Sequence, residues 1–462
     1  MPLDRRDWLR TLVLKTNRIW PLRQCNRLPY AAALRLFVVA FRRHREIASI
    51  YLSHGLAGNE WIPGLSDIDL TVILESGLSV EEEYDLLERF WSTYDRLKRY
   101  CPMLGELVIL EEADFGLWQT YSSTTEQGRH WVLLHGRETA KPVAVDAAAW
   151  RKRALNAALW MHLESLLPCL SRPDCYLRQQ DLVRRARKIV RYLGPVAAGD
   201  VDGKTEVARF RDSAEMVAFI LKVLESAART VAGVASPVPV ANGNGVRGVI
   251  STDAGRVLMA LEDGLETGVI RRLIRDHFRP ERDGTAPLLL PHSLFAYMVC
   301  HYNPFLHSNL LLGRTVVSGE DPLLGIGPPG RSEFAAYTLN RIAYLLTMTR
   351  GEELLSARKT FSLPVLESAV TNGLAVSLFL RDDWVGSDKQ AVDAECRSKF
   401  PECYRALQTI RDYLAAGRER EARRASFRLF RTITAGILDL TRGPADRCPP
   451  PRGPLGGPSF AK

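Results

Sequence analysis

The chain has 462 residues, of which 46% are hydrophobic and 25% charged, and its formal net charge is +9. This balance is typical of a globular protein, and the length predicts two or three domains rather than one hydrophobic core. The excess of positive charge favours an anionic partner, such as a nucleotide or a nucleic acid, only weakly, because a solvated basic surface explains it more simply.

The cysteines and the N-terminal segment bear on the compartment. The eight cysteines are scattered and form no CxxC pair, so neither a zinc site nor a disulfide framework is predicted. The first 20 residues interrupt their arginines with Asp4 and Asp7, and they lack the continuous apolar core of a signal peptide. By sequence, no apolar run reaches the roughly 18 to 20 residues that a membrane span needs. We therefore expect a cytoplasmic protein with reduced thiols and no membrane association.

The first third of the chain alternates helical and strand patterns. Residues 28–52 predict a helix that runs into a strand, and DIDLTVIL at 67–74 predicts a second strand rich in β-branched residues. Ser79 followed by Glu82 is a capping-box pattern that begins a helix, and GELVILEE at 105–112 predicts a third strand. The order helix, strand, strand, helix, strand indicates an α/β or α+β domain.

From about residue 150 the patterns become helical, and they remain so to about residue 440. The fold class we predict is α+β, with a small mixed-sheet domain, a helical domain packing on it, a second helical region and a disordered tail rich in Gly and Pro. The corresponding ranges are 1–145, 146–235, 249–441 and 442–462. The segments VLLHGRE at 132–138 and LLLGRTVVSGED at 310–321 look alike, but they are too short to indicate a duplication.

Asp67 and Asp69 stand two residues apart in the second predicted strand. Side chains at i and i+2 of a strand point to the same face, so the two carboxylates would converge while Ile68 and Leu70 pack on the other side. Close carboxylates repel each other, and a divalent cation such as Mg²⁺, which prefers oxygen ligands, removes that cost. A surface turn would explain Asp67 as a loop cap, but it does not explain Asp69, which lies among apolar residues.

Neighbouring segments offer a place for a phosphate and a third acid. Three glycines that precede the aspartates would let backbone N–H groups approach an anion: Gly55, Gly58 and Gly64. Glu106 opens the third strand and is our candidate for a third carboxylate, although a solvent-exposed strand start explains it equally well. Its rivals Glu111 and Glu112 stand at the strand's exit, where side chains are expected to face water.

The segment YLSHGLAGNEWIPGLSDIDLTVIL, residues 51–74, resembles the nucleotidyltransferase signature of the DNA polymerase beta superfamily. That signature is an apolar strand, a Gly-Ser pair, about ten residues with further glycines, and Ser-Asp-x-Asp on the next strand. The PGLSDIDL end matches closely, and the spacing matches if His54–Gly55 stand where the family has Gly-Ser. The specific match covers roughly residues 48–112.

The resemblance implies a small mixed sheet with helices on one face, a helical domain after it, and a function. Asp67 and Asp69 would be ligands of two Mg²⁺ ions, and Glu106 would take the proton from the acceptor hydroxyl. The implied triphosphate contacts are Ser53, His54, Gly55, Gly58 and Ser66. The helix LVRRARKIVRYL at 182–193 is similar to a basic helix of the family's small-substrate and antibiotic-modifying branches, and Lys188 is its candidate for phosphate binding, although a solvated face is the simpler explanation of its cations.

The expected activity is transfer of a nucleoside monophosphate from an NTP, ATP above all, to a hydroxyl acceptor with release of pyrophosphate. A small molecule or a protein side chain is the expected acceptor, because no RNA-binding module is recognisable. The alternative is a catalytically inactive nucleotide- or RNA-binding member of the same fold, which the replacement of Gly-Ser by His54–Gly55 favours. Ser53 or the His54 ring would have to replace the missing hydroxyl.

Two other clusters are better explained structurally. His301 and His307 lie in a polar and aromatic stretch, VCHYNPFLHSNLLLG, but two histidines six residues apart seldom form a metal site by themselves. The basic segment REREARRASFRLFR at 418–431 lacks the interleaved aromatic residues that stack on bases, so a charged exterior helix is predicted there.

Overall fold

The structure, a computed structural model, contains two four-stranded mixed sheets and many helices, which confirms the α+β class. It describes residues 5–53, 57, 61–121, 131–139, 146–170, 176–194, 196, 210, 212–232, 245–252, 257–277, 287–386 and 389–442. The predicted disordered tail lies outside these residues, apart from Arg442.

The elements up to residue 232 comprise the first sheet, with its flanking helices, and a helical stretch. The strands are β1 (Ile47–Ser53), β2 (Ile68–Leu74), β3 (Leu104–Glu111) and β4 (Val132–Gly136). The helices are α1 (Arg5–Thr16), α2 (Trp20–Phe41), α3 (Val80–Tyr100), α4 (Glu112–Tyr121), α5 (Ala147–Met161), α6 (Leu167–Leu170), α7 (Tyr176–Leu193) and α8 (Ser213–Ala232). A π-helical segment, His162–Leu166, joins α5 to α6.

The remaining elements comprise a second sheet and the C-terminal helices. The strands are β5 (Val246–Thr252), β6 (Val257–Leu261), β7 (Leu288–Pro291) and β8 (Arg314–Gly319). The helices are α9 (Thr267–His277), α10 (His292–Tyr297), α11 (Pro304–Gly313), α12 (Arg331–Thr349), α13 (Glu352–Leu355), α14 (Leu363–Asp382), α15 (Lys389–Lys399), α16 (Pro401–Ala415) and α17 (Glu419–Arg442). A second π-helical segment, Met298–Tyr302, follows α10.

The first sheet has the strand order β3-β2-β1-β4, in which β1 runs antiparallel to both neighbours and β2 runs parallel to β3. Helix α3 makes the crossover between the parallel strands. It begins with the predicted capping box, because Ser79 accepts the Glu82 N–H and the Glu82 carboxylate accepts the Ser79 N–H. These local signals, and the β-branched residues of β2, explain why the sequence predicts this unit well.

The second sheet, at 246–319, was not predicted, because this region was expected to be mostly helical. Its strand order is β7-β6-β5-β8, with β5 antiparallel to both neighbours and β6 parallel to β7. The strands β6 and β7 are five and four residues long and almost wholly apolar. A short apolar run has no periodicity that distinguishes a buried strand from a buried helix. The sequence pattern therefore did not predict these strands.

The two sheets repeat each other in register as well as in strand order. The pairing of β1 with β4 shifts by one residue between Ile50 and Tyr51, where β4 has the extra residue Leu134. The pairing of β5 with β8 shifts in the same way between Val249 and Ile250, where β8 has the extra residue Val317. The edge strands β4 and β8 each end on a glycine with positive φ. The similar segments 132–138 and 310–321 contain these edge strands, so the brief sequence likeness marks equivalent places in the two sheets.

Two hydrophobic cores divide the chain in an order that the sequence does not suggest. The first core combines the first sheet and α2 to α4 with helices α12 to α17 from the other end of the chain. The second combines α5 to α8 with the second sheet and α9 to α11. The helices at 146–235, expected to pack on the first sheet, therefore share their core chiefly with the second. The predicted domain boundaries themselves stay predictions.

One described helix, α14, is long and apolar enough to cross a membrane by length and composition alone. It carries eight buried residues along its length, and its apolar side chains pack in the first core. A buried core helix passes the same length and composition test, so α14 is weak evidence for a membrane span.

Candidate functional site

The two aspartates stand where β2 begins. Ile68, between them, is fully buried, so the aspartates point to the opposite side of the chain from it. Asp69 pairs directly with Ser53 at the end of β1, and the Ser53 side chain is buried. The predicted arrangement of two carboxylates on one face is therefore present, and Ser53 adjoins it.

Gly105 of β3 is the surface against which both aspartates pack. A Cβ atom added to Gly105 would lie 2.5 Å from Cβ of Asp67 and 2.7 Å from Oδ1 of Asp69. Neither distance is compatible with a side chain, so only glycine leaves room for the two carboxylates to converge. Gly105 was not predicted as a site residue. Its only signal in the sequence is its position directly before Glu106 in GELVILEE.

Glu106 lies next to the pair. Its backbone N–H donates a hydrogen bond of 3.2 Å to Oδ1 of Asp69, and its side chain is exposed. The pairing of β2 with β3 slips between Ile68 and Leu70, so that Gly105 and Glu106 both come opposite Asp69. The predicted third acid is thus close to Asp69 in space.

The rival acids lie elsewhere. Glu111 accepts from Arg350 at 3.1 Å and from Arg431 at 3.2 Å, and Glu112 forms an ion pair with Arg137 at 2.5 Å. These glutamates hold helices and strands together, so among the three candidates it is Glu106 that adjoins the aspartates.

The electrostatics of the cluster favour a bound cation. Asp67 and Glu106 are exposed on their outer sides, but protein groups crowd each carboxylate on its inner side. This partial desolvation raises the pKa of Asp67 above its usual value, and the charge of Asp69 raises it further. Partial desolvation and the charge of Asp69 likewise raise the pKa of Glu106. A divalent cation would relieve this repulsion.

The donor set suits magnesium held jointly with a substrate. Among the described residues, no group of three or more His, Cys, Asp or Glu side chains is arranged so that it could hold a metal ion by itself. Mg²⁺ is usually held by one or two carboxylates, with waters and substrate phosphates completing its shell. A pair of converging aspartates fits that pattern.

Side chains of α1 and α2 form hydrogen bonds to the turn that precedes the aspartates. The Tyr30 hydroxyl donates to the Ser66 carbonyl at 3.0 Å and accepts the Gly64 N–H at 3.0 Å, while Arg10 Nε donates to the Gly64 carbonyl at 2.8 Å. Gly64 has a φ of +88°, which favours glycine. The Ser66 hydroxyl accepts the Ile62 N–H at 2.9 Å. In this structure that hydroxyl shapes the turn, and its predicted contact with a phosphate stays a prediction.

Helix α7 brings positive charge to the acids from the second core. Its buried face, Leu182, Ala186, Ile189 and Leu193, packs in that core. Its N-terminal residue Leu177 packs with Leu14 of α1 and Leu65 of the turn. The site therefore lies where the second core meets the first sheet.

Two cations of α7 act on the acids electrostatically. Lys188 lowers the pKa of Glu106, and Arg184 lowers that of Asp67, in each case against the larger effect of withdrawal from water. Arg184 also pairs with Asp181 at 3.1 Å. Lys188 was predicted to reach the site. Arg10 was not predicted, and Arg184, one helical turn before Lys188, was counted among the helix cations for which a solvated face was the simpler explanation.

The remaining candidates are three residues before the aspartates and two histidines. His54, Gly55 and Gly58 lie outside the described residues. His301 Nδ1 lies 3.8 Å from a Glu333 carboxylate oxygen, and the His307 ring lies 3.5 Å from the Ile326 carbonyl. These contacts agree with the structural explanation given above for both histidines.

The second sheet carries no equivalent acid pair in its sequence. The pairing registers make Thr71 of β2 equivalent to Leu258 of β6. Counting back from Leu258 gives Arg256 and Ala254 in place of the two aspartates, and both lie outside the described residues. Comparisons with protein-family models, with curated proteins and with solved structures gave no match.

Proposed function

We propose that this protein is a magnesium-dependent nucleotidyltransferase that transfers a nucleoside monophosphate from an NTP, ATP above all, to a hydroxyl acceptor. The observation that carries the proposal is the convergence of Asp67 and Asp69 on Gly105, with Glu106 beside them. Two carboxylates crowded against a bare backbone, raised pKa values at Asp67 and Glu106, and nearby cations suit a metal and a triphosphate better than they suit a purely structural role.

Asp67 and Asp69 would hold Mg²⁺, with two ions expected by resemblance. When bound, the metal would neutralise charge on the triphosphate and lower the pKa of the attacking hydroxyl. Asp69 is oriented for this by the Glu106 N–H, and Gly105 keeps the space beside it free of a side chain.

Glu106 would accept the proton of the acceptor hydroxyl. Its raised pKa makes it a better proton acceptor than an ordinary surface glutamate. In the reaction, the acceptor oxygen forms a bond to the α-phosphorus and its proton passes to the carboxylate. The bond from the α-phosphorus to pyrophosphate breaks, and pyrophosphate leaves.

Lys188, Arg184 and Arg10 would bind the phosphates. These cations, on α7 and α1, lower the pKa values of Asp67 and Glu106, so positive charge reaches the acids from two helices. Ser53, directly opposite Asp69, is placed to contact the nucleotide in the role that Gly-Ser has in the resembling family.

The test measures binding and turnover separately in the full chain. Calorimetry with ATP, with and without Mg²⁺, reports binding, and pyrophosphate release in the presence of sugars, polyols and protein acceptors reports turnover. We expect Asp67→Asn and Asp69→Asn to lower turnover at least about 100-fold. The matched control is Asp276→Asn, which changes an exposed aspartate of α9 and leaves both signals intact.

Each outcome has a distinct meaning. Magnesium-dependent binding with aspartate-dependent pyrophosphate release supports the transferase. ATP binding without release on any acceptor supports the inactive nucleotide-binding alternative, which the His54–Gly55 pair favours. Absence of ATP binding, in a chain that unfolds cooperatively, would exclude both functions.

A further inference from the structure

The first two helices have an apolar surface that nothing in the described protein covers. Nine of the twenty large hydrophobic side chains that are exposed in the described residues fall between positions 8 and 39. They are Trp8, Leu9, Leu12, Ile19, Trp20, Leu22, Leu28, Leu36 and Val39. Trp20 is 74% exposed and Leu28 is 67% exposed. Such a density of exposed apolar side chains marks an interaction surface.

Helix α2 is apolar on two opposite faces. One face, Tyr30, Ala33, Phe37 and Phe41, is buried in the first core. The other face follows steps of four, four and three residues and is exposed along its length: Leu28, Ala32, Leu36 and Val39. A helix whose only partner were the core would place polar residues on that outer face.

Helix α1 has the same division. Its inner side holds the turn before the aspartates, through Arg10, Val13 and Leu14. Its outer side exposes Trp8, Leu9 and Leu12. We call the exposed apolar side chains of α1 and α2, together with Ile19 between them, the outer face. This outer face is not needed to support the nucleotide site.

The charge of the same segment decides which partner fits. The first 45 residues contain eleven Lys and Arg against two Asp, so they carry the whole net charge of +9, and the rest of the chain is neutral on balance. Six of these arginines are exposed and, within the described part of the chain, form no ion pair: Arg18, Arg23, Arg35, Arg42, Arg43 and Arg45.

We infer that α1 and α2 dock on an anionic lipid bilayer, with the outer face in the headgroup region and the arginines on lipid phosphates. Exposed tryptophan and leucine beside unpaired arginine are typical of helices that lie in a membrane interface. A second copy of the chain fits less well, because contact would oppose two segments of charge +9. Aliphatic side chains such as Leu28 and Val39 have no role in binding nucleic-acid phosphates.

The experiment is flotation of the full chain with vesicles of phosphatidylcholine alone or mixed with phosphatidylglycerol, read also by the tryptophan emission wavelength. We expect flotation with the mixed vesicles, a blue shift on binding, and loss of flotation at high salt because salt screens the attraction. Neither readout depends on nucleotide, so the result stands apart from the proposed function.

Matched variants assign the binding to the outer face. Trp8→Ala with Trp20→Ala should weaken vesicle binding at least about tenfold. Trp160→Ala, which removes a tryptophan that is 53% exposed on α5, should not. Arg35→Glu should weaken it roughly fivefold or more, since each surface cation near an anionic bilayer contributes about that factor. Arg405→Glu, exposed on α16, is the control.

Three results would overturn the inference. The first is failure of the wild-type chain to float with anionic vesicles. The second is equal binding by the Trp8/Trp20 variant, whose fold is checked by circular dichroism. The third is a dimer in solution that dissociates in that variant while vesicle binding is absent, because a second copy would then be the partner of the outer face.

Discussion

The Glu106 N–H donates to Oδ1 of Asp69 across the β2–β3 pair, and the residue before it, Gly105, touches both aspartates of the cluster. The dipeptide Gly105–Glu106 of β3 therefore orients Asp69, leaves room for Asp67 and carries the third acid, Glu106. The geometry of the site depends on a strand that lies more than thirty residues from the acid pair in sequence.

Gly105→Ala is expected to abolish turnover and weaken Mg²⁺-dependent ATP binding, because its Cβ would push the aspartates apart. The crowding should also destabilise the fold by about 1 to 3 kcal/mol. Gly116→Ala, in α4, is the control, since a Cβ there meets nothing within 4 Å and should stabilise the helix by about 0.5 to 1 kcal/mol. Thermal unfolding and calorimetry of both variants test this, and normal ATP binding by Gly105→Ala would contradict it.

Lys188→Ala is expected to weaken ATP binding and to shift the pH dependence of turnover. Lys188 lowers the pKa of Glu106, so its removal lets that pKa rise. Glu106 then stays protonated to a higher pH, and the acidic limb of the pH–rate profile shifts to higher pH. Arg187→Ala, an exposed neighbour on α7, should leave the profile in place. A fall in rate without any movement of the limb would argue against contact between Lys188 and the proton acceptor.

The raised pKa of Asp67 predicts an effect on stability as well as on metal binding. A carboxyl whose pKa is higher in the folded state binds protons more readily when folded, so its contribution to the free energy of unfolding falls as pH rises through its pKa values. Asp67→Asn should therefore raise the melting temperature at neutral pH in the absence of Mg²⁺, and the gain should shrink in acid. Wild-type Mg²⁺ affinity should increase with pH as the competing proton is lost. A lower melting temperature at neutral pH would contradict the prediction.

Arg350 is a fully buried cation whose guanidinium binds three acids of the first sheet's unit. It contacts Glu83 and Asp114 at 2.5 Å and Glu111 at 3.1 Å. Arg350→Ala removes the cation that binds buried Asp114 and leaves Glu83 and Glu111 to share Arg431, so it should destabilise the fold by about 3 to 5 kcal/mol. Arg137→Ala removes exposed ion pairs with Glu75 and Glu112, which solvent screens, and should destabilise the fold far less. Denaturant unfolding of the two variants gives the comparison, and similar losses would be the contrary result.

The repeated edge glycines predict matched effects in the two sheets. A Cβ on Gly136 would lie 2.0 Å from the Ala48 carbonyl oxygen, and one on Gly319 would lie 2.5 Å from that of Arg247. Both also have positive φ, so alanine at either should cost more than about 2 kcal/mol. Gly325→Ala, where φ is positive but space is free, should cost only about 1 to 2 kcal/mol. Denaturant unfolding measures the stability of all three variants. If alanine at only one of Gly136 and Gly319 lowered the stability, the two edge strands would not be equivalent.

The sequence predicts what is local and misses what depends on contacts between distant segments. The capping box of α3 and the period of β2 act within a few residues, and both are present as predicted. The sequence marks Gly105 only as a glycine before the candidate acid, because the need for glycine comes from two side chains on the neighbouring strand. Arg184 resembles any solvated helix cation until the packing of α7 is known. The second sheet was missed because its strands are too short to show a period.

The return of α12 to α17 to the first sheet has a consequence for how the protein is made. Trp91 donates to the Arg350 carbonyl at 3.0 Å, and Phe427 packs on Tyr84, so both ends of the chain complete one core. On a ribosome, the strands that carry the acids emerge early and must wait for the last helix before their core can close. The second unit, whose parts are contiguous, has no such delay. We therefore expect the first sheet, although it is synthesised before the second unit, to become native after it.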